Sequence, residues 1–339
     1  VIFDLDGVVY VGSEAVPRAP ENIRTTVDSG TAVAYVTNNA SRRGTEVAAL
    51  LRELGVPAKD DEVITSAQAA AELMAEHLPA GAPVLVVGAE ALRDELRSVG
   101  LTPVAGVADK PAAVVQGYGR EVGWADLAEG CLAVRAGAWW VATNTDATMP
   151  SARGPVPGNG SMVAALATAL GRRPDLVVGK PEPALFEVAA GRRGASRALV
   201  VGDRLDTDIE GAVRAGMDSL LVLTGVSGAA DVLRAGVQER PTFIAADLRA
   251  LSTTEGQVRV PEWDGTAATA GVWRVTLDAG RLVLAEPDTD TDSGNIDALK
   301  VDALRALAAA AWAQSEPVDV EPGGPTASNV LRELGLQAQ

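Results

Sequence analysis

Several residue types on which catalysis often depends are scarce in this sequence. There is one cysteine, Cys131, so no internal disulfide can form, and one histidine, His77, so a mechanism needing two histidines is excluded. No cluster of His and Cys has the spacing of a metal site, and this cysteine usage fits a reducing cytoplasm. Cys131 reads as a small packed apolar residue, and His77, in EHLPAG, as a solvated residue at a helix end. No apolar run reaches the roughly 18–20 residues needed to cross a bilayer, because Gly, Asp or Arg interrupts each one, so no membrane partner is expected. Basic residues are few: 29 Lys and Arg stand against 45 Asp and Glu, a net charge of −16, which argues against nucleic acid as a partner. The chain opens on Val1 in a strand-like run, with neither an initiator Met nor a signal sequence, and native residues are expected to precede it.

What the chain does have is length and apolar content. At 339 residues and 47% hydrophobic it exceeds the size at which single cores split, which predicts two or three domains. The runs VIFDLDG, TAVAYVTNN, DLVVGKPEP and RALVVGDR are apolar on consecutive residues and alternate with helical patterns. That pattern predicts an α/β fold whose parallel, Rossmann-like sheet is covered on both faces. A helix is expected over Arg42–Leu54, where Val47, Leu50, Leu51 and Leu54 recur at helical spacing before Gly55, and another over about Asp206–Ala215. Lys180 lies 143 positions after Thr37, and the interval has its own strand and helix series, enough for an inserted domain. The boundaries read as 1–81 and 173–250 for the core, 82–172 for the insertion and 251–339 for a C-terminal extension. The extension holds 14 acidic and 6 basic residues and predicts a hairpin around Asp278–Gly280, a mobile acidic loop EPDTDTDSGN and a helix over about Asp297–Trp312.

In an open parallel sheet, ligands bind where the strands end, so polar residues just after each apolar run should converge. Those residues are Asp4, Asp6 and Gly7; Thr37, Asn38 and Asn39; Lys180 and Pro181; and Gly202, Asp203, Asp206 and Asp208. Carboxylates gathered around one lysine and one hydroxyl are costly without a cation, and hard oxygen ligands suit Mg²⁺, with Mn²⁺ or Co²⁺ as substitutes. Asp206 and Thr207 also suit a helix cap, and Asn39 ordinary turn chemistry.

Taken in order, Asp4-Leu5-Asp6-Gly7-Val8, Thr37-Asn38-Asn39, Gly179-Lys180-Pro181 and Gly202-Asp203 through Asp208 resemble the four signature motifs of haloacid dehalogenase-like phosphatases. The long second interval resembles the type II cap of the subgroup that includes p-nitrophenyl and phosphoglycolate phosphatases. The resemblance implies Asp4 as a nucleophile that becomes phosphorylated and Asp6 as general acid and base. It implies Thr37 and the Asn38 backbone as phosphoryl-holding groups, and Lys180 as the charge-offsetting cation. It also implies Asp4, the Asp6 carbonyl oxygen, Asp203 and Asp208 as the Mg²⁺ site. An acid at position 6 favours phosphomonoester hydrolysis, while a phosphotransferase shares the same motifs.

A cap shuts out water and lets the substrate's organic part contact the lid. The stretch ATNTDATMPSARGPVPGNGS resembles the part of that cap approaching the active site, and Asn144, Asp146 and Arg153 are the candidate substrate contacts. Trp139 and Trp140 read as cap core. The whole chain is similar to actinobacterial glycerol-3-phosphate phosphatases, which implies glycerol 3-phosphate as the small phosphorylated metabolite, with 2-phosphoglycolate the nearest rival and pyridoxal phosphate and nucleotide monophosphates behind. A homodimer is a further expectation. From other classes come a non-catalytic phosphate-binding protein and an extension formed from part of an acyltransferase-like fold. The extension lacks the Gly-rich pyrophosphate loop of acetyltransferases, which favours a structural role for it.

Overall fold

Consecutive apolar residues form strands covered on both sides, as the sequence predicts for a parallel sheet. Every residue of Ala34–Thr37 and Val63–Thr65 is buried, as are the last three of Leu199–Gly202 and the last four of Asp218–Val222. The computed structural model describes residues 1–149, 153–287 and 296–337. The expectation of a mobile acidic loop falls largely on residues 288–295, outside the described residues, as do Pro150, Ser151 and Ala152 of the cap stretch. The chain divides into two units, one of Val1, Phe3–Ala32 and Arg197–Gln339, the other of Ile2 and Val33–Ser196.

In the first unit, Leu199–Gly202, Asp218–Val222 and Phe243–Ala245 pair in parallel, and the Asp4 N–H donates to the Val201 carbonyl at 2.9 Å. The helical segment expected near Asp206 is a π-helical turn, Leu205–Ile209, running into the short α-helix Glu210–Arg214. The C-terminal residues form a four-stranded sheet in the order Ala267–Ala270, Trp273–Asp278, Arg281–Leu284 and Val320–Pro322. Its first three strands are antiparallel and the last is parallel. The hairpin turns at Ala279 and Gly280, both with positive φ (45° and 80°), the conformation that a tight two-residue turn requires. Helices Ile296–Trp312 and Pro325–Glu333 pack on this sheet around Trp273, Leu282, Leu307 and Val330.

In the second unit, Ala34–Thr37 pairs in parallel with Val63–Thr65, and helix Gly44–Glu53 buries Val47, Ala48 and Leu51. A separate five-stranded parallel sheet runs in the order Leu176–Val177, Trp139–Ala142, Ala113–Gln116, Pro83–Val87 and Thr102–Val104. Helices Trp124–Arg135 and Asn159–Leu170 cover it, with Val114, Trp140, Val163 and Leu166 in the shared core. Trp140 is therefore core, and Cys131 packs against the same cluster. This sheet continues past residue 172. The Asp175 carboxylate accepts from the Trp140 N–H at 2.8 Å, and the Val178 N–H donates to the Ala142 carbonyl at 3.0 Å, which draws Leu176–Val177 onto the edge of Trp139–Ala142.

Candidate active site

An acidic cluster lies wholly in the first unit. The strand Ile2–Phe3 ends just before Asp4, and the Leu5 carbonyl accepts the N–H groups of Val8, Val9 and Tyr10 at 2.9–3.3 Å. The segment is thus a tight turn, with Gly7 at φ 81°. The turn buries Asp4 and leaves Asp6 exposed. After Leu199–Gly202 come Asp203 and Asp208. Oxygens of Asp4, Asp203 and Asp208, which are 8%, 1% and 0% exposed, lie within 4.8 Å of one another.

Glycines make this convergence possible. A Cβ at Gly202 would lie 2.1 Å from Asp208, and Cβ atoms at Gly7 and Gly225 would lie 2.4 and 1.9 Å from an Asp203 oxygen. Backbone donors hold the acids in place: Val226 N–H to Asp203 Oδ2 at 2.7 Å and Arg204 N–H to Asp208 Oδ2 at 3.2 Å. The Thr224 hydroxyl donates to the Gly7 carbonyl at 2.6 Å and ties the two loops together. Carboxylates this close repel by about 3–4 kcal/mol per pair at the effective dielectric of protein sites. One hard cation with oxygen ligands at about 2.0–2.6 Å spans such a spacing and removes that penalty, so the donor set fits a divalent ion of this kind. The Asp6 side chain is not in the cluster. Asp206 points to the surface in an ion pair with Arg204 at 2.8 Å.

A second group of polar residues, wholly in the second unit, is organised around Asn38. Its Oδ1 accepts the Lys180 N–H at 2.9 Å, and its Nδ2 donates to the Lys180 carbonyl at 3.0 Å and to Asp146 Oδ1 at 3.1 Å. Its carbonyl accepts from Asn144 Nδ2 and from the Ser66 hydroxyl, both at 2.7 Å. Gly179 admits this approach, since a Cβ there would lie 2.6 Å from Asn38 Oδ1. Thr37 ends its strand with Oγ1 accepting the Asn39 N–H at 3.1 Å, and Thr37, Asn144 and Lys180 are all buried. Asn39 is exposed, and its Oδ1 accepts from both the backbone and the hydroxyl of Ser41, which is turn chemistry. The structure thus gathers Asn38, Asn144, Asp146 and Lys180 and leaves Arg153 exposed. His77 is the exposed last residue of the otherwise largely buried helix Ser66–His77, with its ring 5.3 Å from that of Trp139.

Thr224, Gly225 and Val226 escaped the sequence reading although their signal was present. They follow the strand Asp218–Val222 at the same strand-end position that marked the other loops.

Residues 1–102 match the haloacid dehalogenase-like hydrolase family, and residues 177–251 match a second description of the same kind. The chain is 45% identical over 343 residues to the D-glycerol 3-phosphate phosphatase of Mycobacterium tuberculosis, covering 99% of this chain and 94% of that protein. It belongs to the haloacid dehalogenase-like hydrolases. A crystal structure of the M. tuberculosis glycerol phosphate phosphatase in complex with magnesium superposes with a TM-score of 0.88 at 44% identity, over 99% of this chain and 97% of that one. The p-nitrophenyl phosphatase of Archaeoglobus fulgidus superposes with a TM-score of 0.69 at 31% identity, over 74% of this chain and 96% of that one. About a quarter of this haloacid dehalogenase-like chain thus lies outside that match. Residues 270–336 match a GCN5-related N-acetyltransferase-like domain. The family accounts for the α/β architecture and for phosphatase activity.

Proposed function

We propose that the chain is a Mg²⁺-dependent phosphomonoester hydrolase that converts glycerol 3-phosphate to glycerol and phosphate through an aspartyl-phosphate on Asp4. The observation that carries this reading is the buried set of Asp4, Asp203 and Asp208 oxygens within 4.8 Å of one another, in a chain of this family. Glycerol 3-phosphate is supported by the 45% identity to the M. tuberculosis enzyme, whose match extends through the C-terminal residues. In this reading residues 1–81 and 173–250 form the catalytic core, 82–172 the lid and 251–339 the extension. Its location is the cytoplasm.

The side chains divide the reaction as follows. An oxygen of Asp4 attacks phosphorus while the ester P–O bond breaks, and the departing glycerol oxygen takes the proton of the Asp6 carboxylic acid. The resulting Asp6 carboxylate then removes a proton from water as that water attacks the phosphoryl group, regenerating Asp4 and releasing phosphate. Exposure of Asp6 suits it to exchange protons with solvent. Thr37 and the Asn38 N–H hold phosphoryl oxygens, and the Lys180 ammonium offsets negative charge in the transition state. Bound at Asp4, the Asp6 carbonyl, Asp203 and Asp208, Mg²⁺ supplies neutralisation of charge on the transferring phosphoryl group. The Asn38 side chain, bonded to both backbone groups of Lys180, fixes the chain that carries the ammonium.

The test is phosphate release from glycerol 3-phosphate, 2-phosphoglycolate, pyridoxal phosphate and p-nitrophenyl phosphate, with Mg²⁺ or with chelator, for the native protein beside Asp4→Asn. Metal-dependent release, fastest from glycerol 3-phosphate and lost in Asp4→Asn, supports the reading. Release that survives Asp4→Asn overturns the mechanism, and faster release from another ester overturns the substrate.

A further inference from the structure

The helix Ile296–Trp312 is buried at every position from Ala303 to Ala310, and its two stripes enter two different cores. Ala303, Ala306, Leu307 and Ala310 face the four-stranded sheet with Trp273, Val275 and Leu282. Val301, Leu304 and Ala308 join a second cluster with Leu205, Ile209, Leu221, Val232 and Ile244, against which Trp312 also packs. Positions spaced three and four apart share a helix face, so the two sets form separate stripes, and the stretch buried on every side is enclosed between them. In the second cluster, Leu205 and Ile209 belong to the π-helical turn that also carries Asp208 and directly follows Asp203.

Polar contacts stitch the same helix to neighbouring elements. The Trp312 indole N–H donates to the Val232 carbonyl at 2.8 Å, and the buried Arg305 guanidinium donates to the Ile244 and Gln257 carbonyls at 2.8 and 2.7 Å. Val232 lies on the helix Ala229–Arg234, which starts where the Asp203-holding loop ends. In that loop the Val226 N–H donates to Asp203 Oδ2, the Ser227 N–H to the Asp203 carbonyl at 3.0 Å, and the Ser227 hydroxyl accepts the Leu205 N–H at 3.0 Å. The route from Trp312 to a metal-ligating oxygen therefore runs through one short helix and one loop. A second route runs from Leu304 through packed side chains to the turn that bears Asp208.

We infer that the C-terminal extension braces the metal site, with Leu304 and Trp312 as positioning residues that set Mg²⁺ affinity through the Asp203–Asp208 loop. The inference rests on the functional reading above, in which these acids bind Mg²⁺. An acid cluster that repels itself needs a rigid frame to keep its oxygens at ligand spacing before the ion arrives. Residues 270–336, related to acetyltransferases, thus serve the phosphatase reaction through packing and require no acyl donor.

The experiment is calorimetric titration of Mg²⁺ into the full-length protein and three variants, with folding checked by circular dichroism and thermal melting. Leu304→Ala and Trp312→Phe alter the stripe facing the acidic loop. Val330→Ala opens a comparable void on the sheet-facing side, in the cluster that does not contain the loop. The expected result is Mg²⁺ affinity about tenfold weaker in the first two, the size typical when a residue that orients a metal ligand is changed, and native affinity in Val330→Ala despite a lower melting temperature. Native affinity in Leu304→Ala and Trp312→Phe overturns the inference, as does equal weakening in Val330→Ala, which would reflect general loss of stability. Should Leu304→Ala not fold, Trp312→Phe decides, because it keeps an aromatic ring and removes the indole donor. A native protein that binds no Mg²⁺ instead overturns the functional reading itself.

Discussion

Gly225 shows how little room surrounds the acids: the Cβ of an alanine would sit 1.9 Å from the Asp203 carboxylate. Gly225→Ala should weaken Mg²⁺ binding and cost about 1–3 kcal/mol through overpacking, measurable by calorimetry and urea unfolding. Asp6 is the opposite case, an exposed acid whose side chain lies outside the carboxylate cluster. Asp6→Asn should lower kcat about 10²–10⁴-fold while leaving Mg²⁺ affinity near native, since its backbone carbonyl is unchanged. A comparable loss of Mg²⁺ binding would move Asp6 from proton transfer to ligation. The meeting of Asp4, Asp203 and Asp208 was legible because each follows an apolar run and strand ends of a parallel sheet converge. The turn that buries Asp4 and exposes Asp6 was not legible, because the run VIFDLDG reads as one apolar strand and only the fold shows Gly7, with positive φ, curling the chain.

At the level of elements, the C-terminal sheet begins with a polar device. One oxygen of Asp264 accepts the Thr266 N–H, the Thr266 hydroxyl and the Ala267 N–H, all at 2.7 Å, at the start of the strand Ala267–Ala270. These bonds, the Ala267 N–H foremost, hold its carboxyl down from 3.8 to about 2. A depressed folded-state value means that its contribution is present above about pH 3.8 and is lost as pH falls through about 2. The urea midpoints of the native protein and Asp264→Asn should therefore differ most above pH 4 and converge near pH 2. A gap that is constant across that range would refute the assignment. The helix Ile296–Trp312 was readable as an Ala- and Leu-rich helix, but not as one lying between two cores, because apolar periodicity reports burial and is silent about the partner. Leu176–Val177 is similar: its apolar run marked a strand, while its two residues held no information about which sheet would take them.

For the whole molecule, ligand linkage offers a direct measurement. An ion that binds the folded acids and not the unfolded chain stabilises by mass action, about 2.7 kcal/mol at a hundredfold excess over its dissociation constant. Mg²⁺ should raise the melting temperature in a concentration-dependent way, and chelator should return it to the metal-free value. The shift should vanish in Asp203→Asn, and a shift persisting there would place the ion elsewhere. The order and composition of the motifs were written into the linear chain, because polar residues that end successive strands of a parallel sheet converge whatever encloses them. The α/β class followed from consecutive apolar runs, since burial on both faces of a parallel sheet leaves no polar alternation. Folding alone chose which carboxylates come within 4.8 Å, that Asn38 grips the backbone of Lys180, and that a C-terminal helix shares a core with the Asp203–Asp208 loop. Those pairings join residues roughly a hundred or more positions apart, and local pattern records what a residue needs around it without naming the distant segment that provides it.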